Sequence, residues 1–275
     1  MPGTLFIVAT PIGNLGDFPP RAAETLQNVH TIAAEDPAQS AVLLKKFNIR
    51  AAMIRYNEGN KEAAVPGITA LLREGHDVAY ISEAGTPCIS DPGLNLVRKA
   101  VEEGCRVVPV PGPTAAMALL SVSGLPTDRF LFLGFAPKKE AELERFRAFL
   151  EDQPFTAVCY VSPHHMKEFV AMLENLRHDP DVVVGRELTK LHEEVIRGKA
   201  HEIGARILSN VRGEFTVAIA GNREEKETNH TLIVSKGEEL MKKFSLKDTA
   251  SILSVIYGLT KNKVYDMLLK NKENK

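Results

Sequence analysis

Ser82-Glu83-Ala84-Gly85-Thr86-Pro87, directly after the apolar run Asp77–Ile81, and Pro111-Gly112-Pro113-Thr114-Ala115-Ala116, directly after Arg106–Val110, decide how this chain is read. Each is a turn of small, rigid residues hung on the end of a β-type run, and such turns bring bare backbone up to a ligand. A third, Thr10-Pro11-Ile12-Gly13-Asn14, follows the run Leu5–Ala9. One such turn is an ordinary strand-to-helix connection. Three at the carboxyl ends of parallel strands predict a ligand site.

Outward from these turns, strand and helix patterns alternate: Leu5–Ala9, Pro20–Gln27, Val29–Ala34, Gln39–Phe47, Ala51–Arg55, Ala64–Arg73, Val78–Ile81, Leu94–Glu103, Val107–Val110. Alternation of this kind implies βαβ units and a mainly parallel sheet. Asp91 before Pro92 reads as a helix cap with a first-turn proline, and Gly75 and Gly104 stop helices. Ser123-Gly124-Leu125-Pro126-Thr127-Asp128 marks the crossing into a second α/β unit. Its strands are Phe130–Gly134, Thr156–Val161, Val182–Val184, Glu194–Arg197 and Phe215–Ala220, and its helices lie around Glu140–Leu150, His165–Leu176 and His201–Ser209. The last two strands can run in either sense, so a mixed sheet is expected. Arg223–Asn229 reads as a polar loop and Leu232–Ser235 as the end of the second unit. Helical patterns at Leu246–Tyr257 and Lys261–Leu269 follow, divided by Gly258-Leu259-Thr260 with Thr260 as cap. The expected organisation is two α/β domains, 1–114 and 115–236, with a cleft between them and a small helical appendix, 237–275. Lys261, Lys263, Lys270, Lys272 and Lys275 read as a solvated helix face rather than a nucleic-acid contact.

With 275 residues, 44% hydrophobic and 25% charged, the composition is that of an ordinary globular protein. A net charge of −1 argues against a bulk polyanion-binding surface but not against a local basic patch. Cys88, Cys105 and Cys159 are widely spaced and odd in number, which suggests neither a disulfide framework nor a zinc cluster. No apolar run approaches membrane-spanning length, and Met-Pro-Gly-Thr leads straight into a strand. The expectation is a cytoplasmic protein with no membrane partner and no metal.

The turns lack the Gly-x-Gly-x-x-Gly spacing of a dinucleotide site and the Gly-Lys-Ser/Thr of a phosphate loop, and they carry no Lys or Arg. Backbone and small side chains suit a zwitterion with an apolar ring and a sulfonium better than a triphosphate. Glu35-Asp36, Glu83 and Asp91 are the nearby acids. Asp36 reads as the functional one, Asp91 as a cap and Glu35 as a solvated neighbour. In the second unit, Gly185-Arg186-Glu187-Leu188-Thr189-Lys190-Leu191-His192-Glu193-Glu194 and Ser162-Pro163-His164-His165 stand at strand ends. No His/Glu spacing there matches a zinc motif.

Together these segments resemble the tetrapyrrole methylase superfamily, and within it the ribosomal RNA small subunit methyltransferase I family. The likeness rests on Val8–Leu15, Ala33-Ala34-Glu35-Asp36, Ala84-Gly85-Thr86-Pro87 with Ile89–Gly93, Val108–Pro113, Ser123–Phe130, Ser162-Pro163-His164 and Arg186–Glu194. It extends over nearly the whole chain, tail included. The resemblance implies a dimeric two-domain α/β protein that holds S-adenosylmethionine in its cleft and releases S-adenosylhomocysteine. The implied reaction is 2′-O-methylation of a cytidine in the decoding region of small-subunit ribosomal RNA. The donor would lie against Pro11 and Gly13, against Glu83, Ala84, Gly85, Thr86 and Pro87, and against Pro111, Gly112, Pro113, Thr114 and Ala115. The Glu187–Glu194 segment would contribute from the second domain. The acceptor side points to Asn14, Asn60, Ser162 and His164. Asp36, Glu187 and His192 are candidate proton acceptors, and Lys190 a candidate for stabilising alkoxide character.

The chain departs from the family pattern at defined places. Pro37-Ala38 stands where Thr-Arg is usual, Val161-Ser162-Pro163-His164-His165 where Glu-Ser-Pro-His-Arg is usual, and Glu83 where Asp is usual. Asn57-Glu58-Gly59-Asn60-Lys61 replaces His-Glu-His-Asn-Glu. Ala38 and His165 cannot reproduce the bidentate grip of arginine on phosphate. The departures fall on the acceptor side and leave the donor turns nearly intact. Two other readings stay open: a tetrapyrrole C-methyltransferase, and a catalytically idle S-adenosylmethionine-binding protein that docks on the ribosome.

Overall fold

The computed structural model describes residues 1–222, 227–257 and 259–273. Two compact units emerge, Met1–Asn222 and Arg223–Lys275. The first contains two five-stranded sheets.

In the first sheet, β1 (Thr4–Val8), β2 (Thr31–Ala34), β3 (Ala52–Arg55), β4 (Val78–Ile81) and β5 (Arg106–Val110) lie in the order β3-β2-β4-β1-β5, every pairing parallel. Alternate side chains of each strand enter opposite layers. Val8, Ile32, Ala34, Ala79 and Ile81 pack with Ala22 and Leu26 of α1 (Pro20–Asn28) and Leu44 of α2 (Pro37–Lys46). Leu5, Ala33, Val78 and Tyr80 pack with Ile68 and Leu72 of α3 (Lys61–Arg73) and Leu96 and Ala100 of α4 (Gly93–Glu102). Covered on both faces, β2 and β4 are buried along their whole length.

The chain then forms α5 (Ala115–Ser123), β6 (Phe130–Phe135), α6 (Glu140–Asp152), β7 (Thr156–Val161), α7 (Met166–Glu174), β8 (Asp181–Arg186), β9 (Glu194–Lys199), α8 (Ala200–Leu208) and β10 (Phe215–Ile219). The second sheet runs β6-β7-β10-β8-β9, with β6 and β7 parallel and the other pairings antiparallel, the mixed sheet expected. Helices α6, α7 and α8 cover one face. Helix α5 covers the other, setting Ala116, Leu119 and Leu120 on Val158, Val183 and Ala218. The sequence carries no periodic signal for this helix, because Ala115–Ser123 is apolar nearly all round. Its Ala/Leu content favours helix, and Gly124 at φ 77° ends it.

The second unit contains α9 (Glu227–Met241), α10 (Leu246–Tyr257) and α11 (Lys261–Glu273), packed on Ile233, Ala250, Leu253, Val264 and Leu268. Leu232–Ser235, expected to end the second unit, therefore lies within α9, and the expected boundary at 236/237 falls inside that helix. The local β-branched residues are overridden by the i, i+7, i+8 set Ile233, Leu240 and Met241, which faces this small core. Of the expected loop Arg223–Asn229, residues 223–226 lie outside the described residues, as does Gly258; 227–229 begin α9. Thr260 accepts the Lys263 N–H at 3.4 Å, as a cap does.

Candidate active site

The three strand-end turns are tied into one body. Thr10 and Gly85 exchange both backbone hydrogen bonds, at 2.9 and 3.1 Å. Thr86 Oγ1 donates to the Pro113 carbonyl at 3.1 Å, and Ala9 N–H to the Val110 carbonyl. Gly85 has φ 81°, a conformation that glycine alone adopts without strain. A Cβ there would also sit 3.3 Å from Ile12.

These turns border a cavity of about 460 Å³ that the second sheet completes. From the first half it is lined by Ile12, Glu35, Ser82–Thr86, Ile89, Ser90, Asp91, Thr114 and Ala115. From the second come Phe135, Tyr160–Pro163, Leu188 and Glu214–Thr216. Antiparallel pairing explains the last group: Phe215 at the start of β10 registers with Val161 at the end of β7 and with Arg186 at the end of β8. The sense of β10 was open in the sequence, so its first residues carried no signal.

Among the expected donor residues, Glu83, Ala84, Gly85, Thr86, Thr114 and Ala115 line the cavity, whereas Pro11, Gly13, Pro87, Pro111, Gly112 and Pro113 lie outside its wall. Two of these glycines serve packing. A Cβ on Gly112 would come within 2.8 Å of Ala9 Cβ, and one on Gly13 within 2.9 Å of Thr189 Oγ1 and into Lys190 Cγ. Gly13 thus seats the second half's loop on the first, helped by Asn14 N–H donating to Thr189 Oγ1 at 3.1 Å.

The acidic pair resolves opposite to the sequence reading. Asp36 Oδ1 accepts the Ala38 and Gln39 N–H groups at 2.8 and 3.3 Å, so it caps α2 and takes no part in the cavity wall. Glu35 is the wall residue. Half-buried, its Oε2 accepts the Glu83 N–H at 3.3 Å, and burial together with the charges of Glu83 and Asp91 raises its pKa. Asp91 Oδ1 accepts from Tyr80 Oη and from Gly93 N–H, both at 2.9 Å; α4 begins at Gly93 with Pro92 at the N-cap, so Asp91 stands one residue before the cap position expected of it and Pro92 is the cap rather than a first-turn proline. Burial and the Asp91 charge push Tyr80 far above its usual range, and Cys88 up to about 12. Cys88 and Ser90 stand at φ 69° and 73°, strained positions in the loop that forms one wall.

The Glu187–Glu194 run is a clamp. Glu187, at φ 50°, accepts from Lys190 Nζ and from Glu214 N–H, both at 2.9 Å, while Lys190 Nζ also reaches Glu214 at 2.8 Å. Burial alone would raise the Glu187 carboxyl; the Lys190 and Glu214 hydrogen bonds outweigh it and hold it low. Neither side chain lines the cavity, and neither does that of exposed His192; Leu188 is the residue this run contributes. On the acceptor side Ser162 lines the cavity, and His164 is exposed beside it. Asn14 caps the short turn Leu15–Asp17, and Asn60 bonds Arg55 and Asn57, closing the turn before α3. Val161 presents an apolar wall.

Among the described residues the lining includes no Lys, Arg or His, and no three His, Cys, Asp or Glu side chains are disposed to hold a metal. The N-terminus of α5 carries no side-chain cap from Thr114 and borders the cavity through Thr114 and Ala115; the first N–H groups of a helix have no intrahelical partner and suit a carboxylate.

Residues 4–204 match the family model Tetrapyrrole (Corrin/Porphyrin) Methylases. The chain is 37% identical over 274 residues to ribosomal RNA small subunit methyltransferase I of Escherichia coli O157:H7, covering 97% of this chain and 95% of that protein. To the protein of the same name from Pseudomonas aeruginosa it is 39% identical over 273 residues, covering 97% of each. Among solved structures, cobalt precorrin-4 methyltransferase superposes with a TM-score of 0.61 at 19% identity, over 79% of this chain and 94% of that one, a likeness of fold. The chain belongs to the tetrapyrrole methylase family, in its ribosomal RNA small subunit methyltransferase I branch.

Proposed function

We propose that this chain transfers a methyl group from S-adenosylmethionine to small-subunit ribosomal RNA, and that the acceptor is the 2′-hydroxyl of a cytidine ribose. The observation that carries the reading is the cation-free cavity between the three knitted turns and the second sheet. Its volume lies within the range of roughly 300–1,000 Å³ usual for small-molecule sites. Small hydroxyls, bare backbone and the apolar walls of Ile12, Ile89 and Leu188 suit an adenosine, the α5 N-terminus a carboxylate, and three carboxylates a cation. The residues present fit this cofactor and fit a triphosphate poorly. Identity of 37% and 39% over nearly the full length to two proteins named ribosomal RNA small subunit methyltransferase I supports the acceptor class.

When bound, S-adenosylmethionine supplies a methyl group made electrophilic by the sulfonium. The tied turns hold their ligand in one geometry, which can supply much of the acceleration. A cavity carboxylate, Glu35, Glu83 or Asp91, accepts the proton that the attacking hydroxyl gives up. Glu187 and Lys190 act through position, fixing Leu188 and Glu214 in the wall. His192, exposed at the loop tip, and Asp36, committed to its cap, contribute outside the cavity. The homodimer and the cytoplasmic setting belong to the same reading; among the described residues no helix is long and apolar enough to cross a membrane.

Labelled methyl transfer to small subunits lacking the modification, followed by mapping, tests the proposal. A label on one decoding-region cytidine ribose is expected; a label on a base, or on a tetrapyrrole instead, refutes it. Val161 favours one second reading, donor binding without turnover, since it lines the cavity where the resemblance implies a carboxylate. Measurable donor binding with no transfer to any RNA would establish that reading.

A further inference from the structure

The charged side chains of the cavity wall are, among the described residues, all carboxylates: Glu35, Glu83, Asp91 and Glu214. Glu214 is ion-paired at 2.8 Å with Lys190, which it shares with Glu187, and its side chain is largely exposed. The other three form no ion pair with a cation among the described residues, and they differ in how effectively their charge is felt. Glu83 is exposed and screened by solvent. Asp91 spends one oxygen on Tyr80 Oη and Gly93 N–H. Glu35 is half-buried at the end of β2, held by a single 3.3 Å hydrogen bond from Glu83 N–H. Its pKa is raised by burial and by its two acidic neighbours, the mark of a carboxylate that a cation would relieve.

We infer that Glu35 sets the preference of this cavity for a cationic methyl donor over its neutral-sulfur product, an inference that rests on the cofactor reading above. S-adenosylmethionine and S-adenosylhomocysteine share adenosine, ammonium and carboxylate. They differ by one methyl group and one positive charge on sulfur. Any contact of Glu35 with the shared ammonium cancels in the ratio of the two affinities, so the ratio isolates the sulfonium. In a partly desolvated cavity a carboxylate acts on that charge across several ångströms without touching it. Loss of the charge on methyl transfer therefore weakens retention of the product and frees the site for another donor.

The test is calorimetric titration of each ligand into the full chain without RNA, for wild type, Glu35→Gln and Glu35→Asp. Glu35→Gln is expected to weaken S-adenosylmethionine about tenfold and leave S-adenosylhomocysteine within about twofold. Retained product binding certifies a folded cavity in the same experiment. Glu35→Asp, which keeps the charge, should keep the wild-type ratio to within about threefold. The inference is overturned if Glu35→Gln leaves the ratio unmoved, whether both affinities fall or neither does, and equally if that variant binds neither ligand. A wild-type chain that binds neither ligand removes the cofactor reading itself, a distinct failure from a wild type whose ratio ignores Glu35.

Discussion

The two halves of the cavity are built from different materials. The first half is backbone and glycine: three turns joined by main-chain hydrogen bonds, with Gly85 at φ 81° where they meet. The second half is side-chain electrostatics, with Lys190 between Glu187 and Glu214 holding the loop that sets Leu188 in the wall. Where backbone makes the site, local sequence announces it, because glycine and proline are required in place. Where side chains make it, the site depends on which strand lies beside which.

Substitutions can break this contrast, and the largest effect is expected at Gly85. Gly85→Val forces a β-branched residue into a left-handed conformation at the joint of the turns, so S-adenosylmethionine binding should fall by at least about 30-fold. Unchanged binding by titration would mean that the turns do not form the cofactor wall. Gly112→Val tests the opposite expectation, since its Cβ would meet Ala9 and Pro19 inside the protein. It should cost about 1–3 kcal/mol of stability, read as a lower denaturation midpoint, while the folded fraction still binds donor. Lost binding at full stability would return Gly112 to the ligand's side.

In the second half, Lys190→Met leaves Glu187 and Glu214 facing each other and should cost about 1–2 kcal/mol in chemical denaturation. A neutral result would show the clamp to be incidental. The pH dependence separates the halves again. The Glu187 pKa is lowered on folding, so its contribution is present above the ordinary glutamate range near ~4.3 and is lost as pH falls through the lower folded value. The stability deficit of Glu187→Gln should accordingly shrink on acidification below about pH 4. The Glu35 pKa is raised, so the sign reverses: unliganded Glu35→Gln should be the more stable protein at neutral pH, with the gain vanishing as pH falls through the raised value. Melting curves across pH check both, and parallel curves for the two variants would remove the contrast. The smallest effect concerns the acceptor side. Ala38→Arg with His165→Arg should steepen the salt dependence of RNA binding by about 1.4 in log–log slope, two single-strand phosphate contacts' worth. An unaltered slope would show that these positions do not meet RNA.

Much of the molecule was legible in advance. The βαβ alternation, the three turns and most elements of both sheets appear where period and turn chemistry place them, since strands and helices here carry their own local signals. Helix α5 was not legible, being too uniformly apolar to show a period, nor was α9, where Ile233 answers to a core shared with α10 and α11.

The sequence by itself determined an α/β chain whose strand ends present small-residue turns without cations, because backbone conformation and residue charge are properties of the local chain. Only the tertiary structure decided which groups enter the cavity. Asp36 and Glu35 are neighbours at the end of one strand, yet Asp36 is turned to the N–H groups of α2 while Glu35 meets the turn after β4. Glu214 reaches the wall because β10 runs antiparallel to β7 and β8. Strand sense and the competition of a helix terminus for a carboxylate are settled by partners far away in the chain, and no local pattern records them.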